Sequence, residues 1–145
     1  MNLIFEQACV RDADVIFDLC RTLVVQYEDP AQLDIPRVLA WCRRKIDRYI
    51  EEYTRVILDG ETVGYYRLFP DGEQLELDDV YVLPPFRGRG IGSAILGKCC
   101  LETDRPITLC VFKENTGAIA LYTRFGFVVT EAVSTTRLLM RREAI

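Results

Sequence analysis

The chain has 145 residues, half of them apolar and 28% charged, with a net charge of −4 and no histidine. That length and composition fit one folded domain over residues 1–145 with a buried core and exclude a disordered chain. The negative charge argues against nucleic acid as a partner, and the missing histidine excludes a mixed Cys/His metal site and any histidine base, so no metal is expected.

No apolar run approaches the ~18 residues of a membrane span, so no membrane partner is expected. The opening MNLIFEQACVRDAD lacks the basic start and apolar core of a signal peptide, so a cytoplasmic location is expected. Cys9, Cys20, Cys42, Cys99, Cys100 and Cys110 include no C-x-x-C pair and read as free thiols, most of them small core residues.

In chain order, residues 3–9 (LIFEQAC) alternate as a strand does. Asp12 can cap a helix whose apolar stripe is Val15, Ile16, Leu19, Leu23 and Val24. The stretch EDPAQLDIP interrupts the pattern, and its Glu28, Asp29 and Asp34 read as exposed loop acids. Pro36 suits the first turn of a second helix, whose stripe runs Val38, Cys42, Ile46, Tyr49, Ile50 and Tyr53. Within it, Arg43 to Lys45 read as a solvated face.

TRVILDG and TVGYYRLFPDG, joined at Gly60, predict a hairpin, and QLELDDVYV a further strand. A helix is expected from Gly90 to about Thr103, a strand at PITLCVF, a short helix from Asn115 to Phe125, and strands at FVVTEAV and TTRLLMRR. The order β-α-α-β-β-β-α-β-α-β-β predicts an α/β fold with a mixed sheet covered by helices on both faces.

Between the strand ending at Val82 and the helix starting near Gly90 lies LPPFRGRG. A helix start leaves amides without partners and carries the positive end of the dipole, glycines admit close approach, and Arg87 and Arg89 add charge. These features describe an anion cradle for a phosphate or pyrophosphate. The dinucleotide pattern G-x-G-x-x-G fails, because its third glycine falls on Ser93 or Ile95, and the G-K-[ST] of a P-loop is absent.

The segment resembles the acyl-CoA site of the GNAT N-acetyltransferase superfamily. The pattern [RQ]-x-x-G-x-[GA] is met by Arg87, Gly90 and Gly92, and N-x-x-A-x-x-L-Y-x-x-x-G-F by Asn115, Ala118, Leu121, Tyr122, Gly126 and Phe127. The resemblance covers residues 74–130; upstream of that only the element order matches. It implies a mostly antiparallel sheet and acetyl transfer from acetyl-CoA to a primary amine on a small molecule, peptide or protein. It also implies an enzyme that can form a homodimer. A non-catalytic acyl-CoA-binding domain is the alternative.

On this resemblance, backbone amides of Arg87, Gly88, Arg89, Gly90, Ile91, Gly92 and Ser93 would bind the pyrophosphate, with the arginines as candidates for the 3′-phosphate. The backbone of Val80, Tyr81 and Val82 would pair with pantetheine as an added strand. Asn115, which also suits a helix N-cap, would touch the pantetheine arm. Tyr122 matches the tyrosine that serves as acid toward the leaving thiolate and would also contact the donor.

An alkylammonium with a pKa near ~10.4 must lose a proton before attack, and without histidine a carboxylate or a water chain must take it. Glu76 and Asp78 are the carboxylates offered, sharing one strand face by alternation, with Asp79 expected on the other.

Overall fold

The structure is a computed structural model and describes residues 1–144; Ile145 lies outside the described residues. Its regular elements are β1 (Leu3–Gln7), α1 (Ala13–Tyr27), α2 (Ile35–Arg48), β2 (Tyr53–Leu58), β3 (Glu61–Asp71), β4 (Gln74–Val82), α3 (Ile91–Leu101), β5 (Ile107–Phe112), α4 (Thr116–Arg124), β6 (Val128–Ala132) and β7 (Arg137–Arg142). The seven strands form one sheet in the order β1-β2-β3-β4-β5-β7-β6. Among the described residues, β4 and β5 are its one parallel pair.

Period-two alternation divides the core between the two faces of the sheet. Ile107, Leu109 and Val111 of β5 point to α3 and α4, where they pack with Ile91, Ile95, Leu96 and Phe127. Tyr53, Tyr65 and Tyr81 point to the other face and pack with Ile16, Val24, Ile46 and Ile50 beneath α1 and α2. Ile95, Leu96, Ile46 and Ile16 have no exposed surface, and burying each such side chain stabilises the fold by about 1.5–3 kcal/mol.

Local chemistry sets the helix starts. Asp34 Oδ1 accepts from the Arg37 amide at 3.3 Å, with Pro36 in the first turn of α2. Asp12 precedes α1, but its carboxylate looks elsewhere: Oδ2 accepts from the Cys9 amide and Oδ1 from the Tyr65 hydroxyl at 2.7 Å.

The expected order of elements is observed, with differences at their ends. The stripe extending to Tyr53 is not one helix: α2 stops at Arg48, residues 50–52 form a 3-10 turn, and Tyr53 opens β2. The Tyr53 carbonyl accepts from the Ala8 amide, so sheet pairing takes this residue, while a helix stripe and a strand entering the same core present alike in sequence. Phe127, expected as strand, is a core plug ahead of β6 with 1% exposure.

Gly64 of β3 has a specific reason to be glycine. A Cβ there would stand 2.4 Å from the Tyr81 carbonyl oxygen, so only a bare backbone lets β3 approach β4 this closely. That contact lies against Tyr81–Val82, the part of β4 that borders the candidate site.

Candidate active site

The ladder between β4 and β5 is short. Leu75 pairs with Ile107 and Glu76 with Thr108, and beyond them the strands carry no further register. On the other side of β4, pairing with β3 skips a residue: Tyr66 faces Val80 and Arg67 faces Asp78, leaving Asp79 as a bulge. Asp79 has φ +60°, a left-handed conformation that bends the strand. The bulge lies where β4 and β5 part.

A cleft of about 830 Å³ opens along the free end of β4. Val80, Tyr81, Val82, Arg87, Gly88, Gly90, Ile91, Gly92, Ser93 and Asn115 all line it. Arg89, Tyr122, Glu76 and Asp78 are outside that lining. Sequence reading missed its opposite wall, formed by Leu19, Thr22, Leu23, Gln26 and Tyr27 of α1. In sequence Leu19 and Leu23 belong to the helix's apolar stripe and read as core, with nothing to mark them or Thr22, Gln26 and Tyr27 as a cleft wall.

At the mouth of the cleft, Gly88 and Gly90 have φ +77° and +82°, and a Cβ on either would meet nothing within 4 Å. No amide from Gly88 to Ser93 donates to a backbone carbonyl among the described residues; the first amide of the turn to do so is Ala94, to Gly90. Alternating left-handed glycines ahead of a helix turn successive N–H groups into one concavity, a nest for an anion. The cradle and a cleft of this size fit a CoA ester. Arg87 Nε is turned back to the Val82 carbonyl at 3.0 Å, and the Arg89 guanidinium lies 5.5 Å over the Phe86 ring. Asn115 Oδ1 accepts from the Ala118 amide at 3.3 Å and caps α4.

Tyr122 is nearly buried, its ring edge-on to Phe127 at 6.0 Å. Burial and then the charge of Asp79 push its pKa up, so its hydroxyl keeps its proton at neutral pH.

The acidic residues of β4 are arranged differently from the alternation expected. The bulge brings Asp78 and Asp79 to the same cation: Lys45 Nζ is 2.9 Å from Asp78 Oδ2 and 3.6 Å from Asp79 Oδ2. Asp78 also accepts from Arg67 Nη1 at 3.0 Å. Arg67 bonds Glu52 and is held between the rings of Phe69 and Tyr49. Asp79 Oδ2 accepts from the Tyr53 hydroxyl at 3.2 Å. Burial and then Asp78 raise the Asp79 pKa. Glu76, half-buried beside the closed ladder, is raised by burial and then by Asp78 and Asp71.

Two readings of charged residues are corrected. Lys45 is not part of a solvated face: its side chain is 17% exposed, and although burial opposes its charge, the carboxylates of Asp79 and Asp78 outweigh that and raise its pKa. Arg43 does behave as surface, paired with Asp14 and Asp47. Glu28 is not an exposed loop acid. Its side chain is buried, accepting from Thr136 Oγ1 and from Arg137 Nη2 at 2.8 Å, which ties the end of α1 to β7. Among the described residues, no group of three or more His, Cys, Asp or Glu could hold a metal ion, and no helix is long and apolar enough to cross a membrane.

Comparison with known proteins agrees with this geometry. The sequence pattern of the acetyltransferase (GNAT) family matches residues 16–127, and the chain belongs to that family. An uncharacterized N-acetyltransferase of Methanocaldococcus jannaschii is 42% identical over 65 residues, a match spanning 42% of this chain and 29% of that protein.

Two solved structures share the fold. The PaiA N-acetyltransferase of Thermoplasma acidophilum in complex with coenzyme A superposes with a TM-score of 0.76 over 99% of both chains at 16% identity. A GNAT family acetyltransferase of Elizabethkingia anophelis with acetyl-CoA bound does so with a TM-score of 0.68 over 98% of both chains at 20% identity.

Proposed function

We propose that the protein is an N-acetyltransferase that moves an acetyl group from acetyl-CoA to a primary amine by direct transfer. The observation that carries the reading is the pair formed by the amide cradle at Gly88–Ser93 and the opened edge of β4 at Val80–Val82, which line one cleft. The cradle suits a pyrophosphate, and an unpaired strand edge suits the amides of an extended pantetheine. Asn115 closes the cleft on the α4 side.

When bound, acetyl-CoA supplies an activated thioester. Tyr122 holds a proton at Oη. Its raised pKa makes full transfer to a thiolate, with a thiol pKa near ~8.5, uphill, so the hydroxyl acts by hydrogen-bonding the departing sulfur. Glu76, Asp78 and Asp79 give β4 the carboxylates that attract a cationic acceptor and can take its proton. The acceptor is a primary amine carried by a small molecule or a peptide.

A reducing, cytoplasmic setting belongs to the same reading and is supported by cysteines that are free throughout. So does self-association along β6, an edge strand that exposes Val128 and Val129.

The test is calorimetry with acetyl-CoA, CoA and 3′-dephospho-CoA, followed by thiol release with a diamine, a peptide α-amine and a lysine peptide as acceptors. Micromolar donor binding, about −8 kcal/mol, together with amine-dependent thiol release is expected. Binding without release points to the non-catalytic acyl-CoA binder, and no binding removes the reading. Tyr122→Phe is expected to lower kcat about 100-fold, with donor affinity kept within about twofold. Unchanged turnover would take Tyr122 out of the chemistry.

A further inference from the structure

Three carboxylates crowd the middle of β4, and their surroundings separate them. Glu76 pairs with Thr108 in the closed part of the β4–β5 ladder, ahead of the gap. Asp78 is engaged by two cations, Lys45 at 2.9 Å and Arg67 at 3.0 Å. Asp79 occupies the bulge itself, one residue before the cleft-lining Val80. Of the two non-glycine residues with positive φ among the described residues, Asp59 sits in the turn before Gly60, whereas Asp79 is strained in the middle of a sheet. A left-handed aspartate costs on the order of 1 kcal/mol and is kept where the surroundings impose it, often at functional sites.

The bulge aims the Asp79 carboxylate toward α2, against the Tyr53 hydroxyl at 3.2 Å and Lys45 at 3.6 Å, yet leaves 21% of its side chain exposed. Tyr122 of α4 feels the charge of Asp79.

We infer that Asp79 is the catalytic base, taking a proton from the acceptor ammonium at the parting of β4 and β5. The inference rests on the acetyl-transfer reading above. The freed amine forms the C–N bond as the C–S bond breaks. Of the two protons the nitrogen loses, one passes through Asp79 to solvent and the other ends on the leaving sulfur. Every titratable group around Asp79 enters its balance. Burial and Asp78 favour its protonated form, while Lys45, Tyr81 and Tyr53 favour its ionised form, and the balance raises its pKa above the ordinary carboxylate value, which makes it a better proton acceptor. Cys20 of α1, Cys42 of α2 and Tyr122 of α4 also lie within its field.

The experiment measures kcat and KM against pH for the wild type, Asp79→Asn and Tyr53→Phe, by thiol release with whichever of the three amines is turned over fastest. Asparagine tolerates the left-handed backbone, so the bulge is preserved. Asp79→Asn is expected to lower kcat by about 100-fold, leave KM for acetyl-CoA within about twofold and abolish the fall of kcat at acid pH. Tyr53→Phe keeps that fall but moves it to higher pH, because a donor to the ionised carboxylate is gone. A purely structural Asp79 would change melting temperature or KM and leave the acid limb in place.

A wild-type limb in Asp79→Asn overturns the inference while the acetyltransferase reading stands. Should Asp79→Asn not fold, an unmoved limb in Tyr53→Phe overturns it equally. A wild type that transfers nothing to any of the amines removes the catalytic reading, and Asp79's role with it; donor calorimetry then shows whether the CoA site survives.

Discussion

Gly90→Glu is expected to weaken acetyl-CoA binding by more than about 100-fold while the protein stays folded. Gly90 caps α3 with φ +82° and ψ 10° and has open space where a side chain would begin. A glutamate there meets no clash, but it fills the cradle and sets a negative charge against the amides offered to a pyrophosphate. Like charges so placed cost several kcal/mol, and about 2.7 kcal/mol is already 100-fold in affinity.

The control is Gly72→Glu in the β3–β4 turn, where φ is +65° and nothing lies within 4 Å. It carries the same backbone strain, on the order of 1–2 kcal/mol, far from the cleft, so donor affinity should not change. Calorimetry with acetyl-CoA on both variants reads the difference. Equal affinities would remove the pyrophosphate from the α3 cradle.

The second large effect concerns stability. Arg67→Ala is expected to destabilise the protein by about 3 kcal/mol, because removing the buried cation takes one of two cations from Asp78 and the Arg67 pair from Glu52. Arg67 is 5% exposed, bonds both Glu52 and Asp78, and stacks at 3.8 Å on Phe69 and 4.3 Å on Tyr49. Its loss leaves Asp78 with Lys45 alone and empties the space between the two rings. For a chain of this size that corresponds to a fall of about 10 °C in melting temperature. Thermal unfolding followed by circular dichroism measures it, and a melting temperature within about 2 °C of the wild type would show that the network contributes little.

The glycine-rich wall of the cleft was legible in the sequence because its signals are local. Gly88, Gly90 and Gly92 beside Arg87, then Asn115 ahead of the next helix, lie within a few turns of chain and line one cleft, whereas Tyr122, taken from the resemblance, lies outside that lining. The order of strands and helices was legible for the same reason, since periods of two and 3.6 residues are set by backbone geometry. Boundaries such as Arg48 against Tyr53 were less so, because apolar residues entering one core look alike whether they come from a helix or a strand.

What surrounds β4 was decided by tertiary structure. Lys45, Glu52, Arg67 and Asp78 come from four separate elements, α2, the 3-10 turn at residues 50–52, β3 and β4, and no spacing announces that they meet. Alternation put Asp79 on the opposite face from Asp78, but one unpaired residue against β3 turned it toward the same lysine. A bulge is a property of two strands in register and cannot be read from either alone. The sequence by itself determined the elements and the glycine cradle ahead of α3, since both arise from local backbone and side-chain chemistry. The parting of β4 from β5, and the choice of which carboxylate stands at that gap, belong to contacts between residues far apart in the chain.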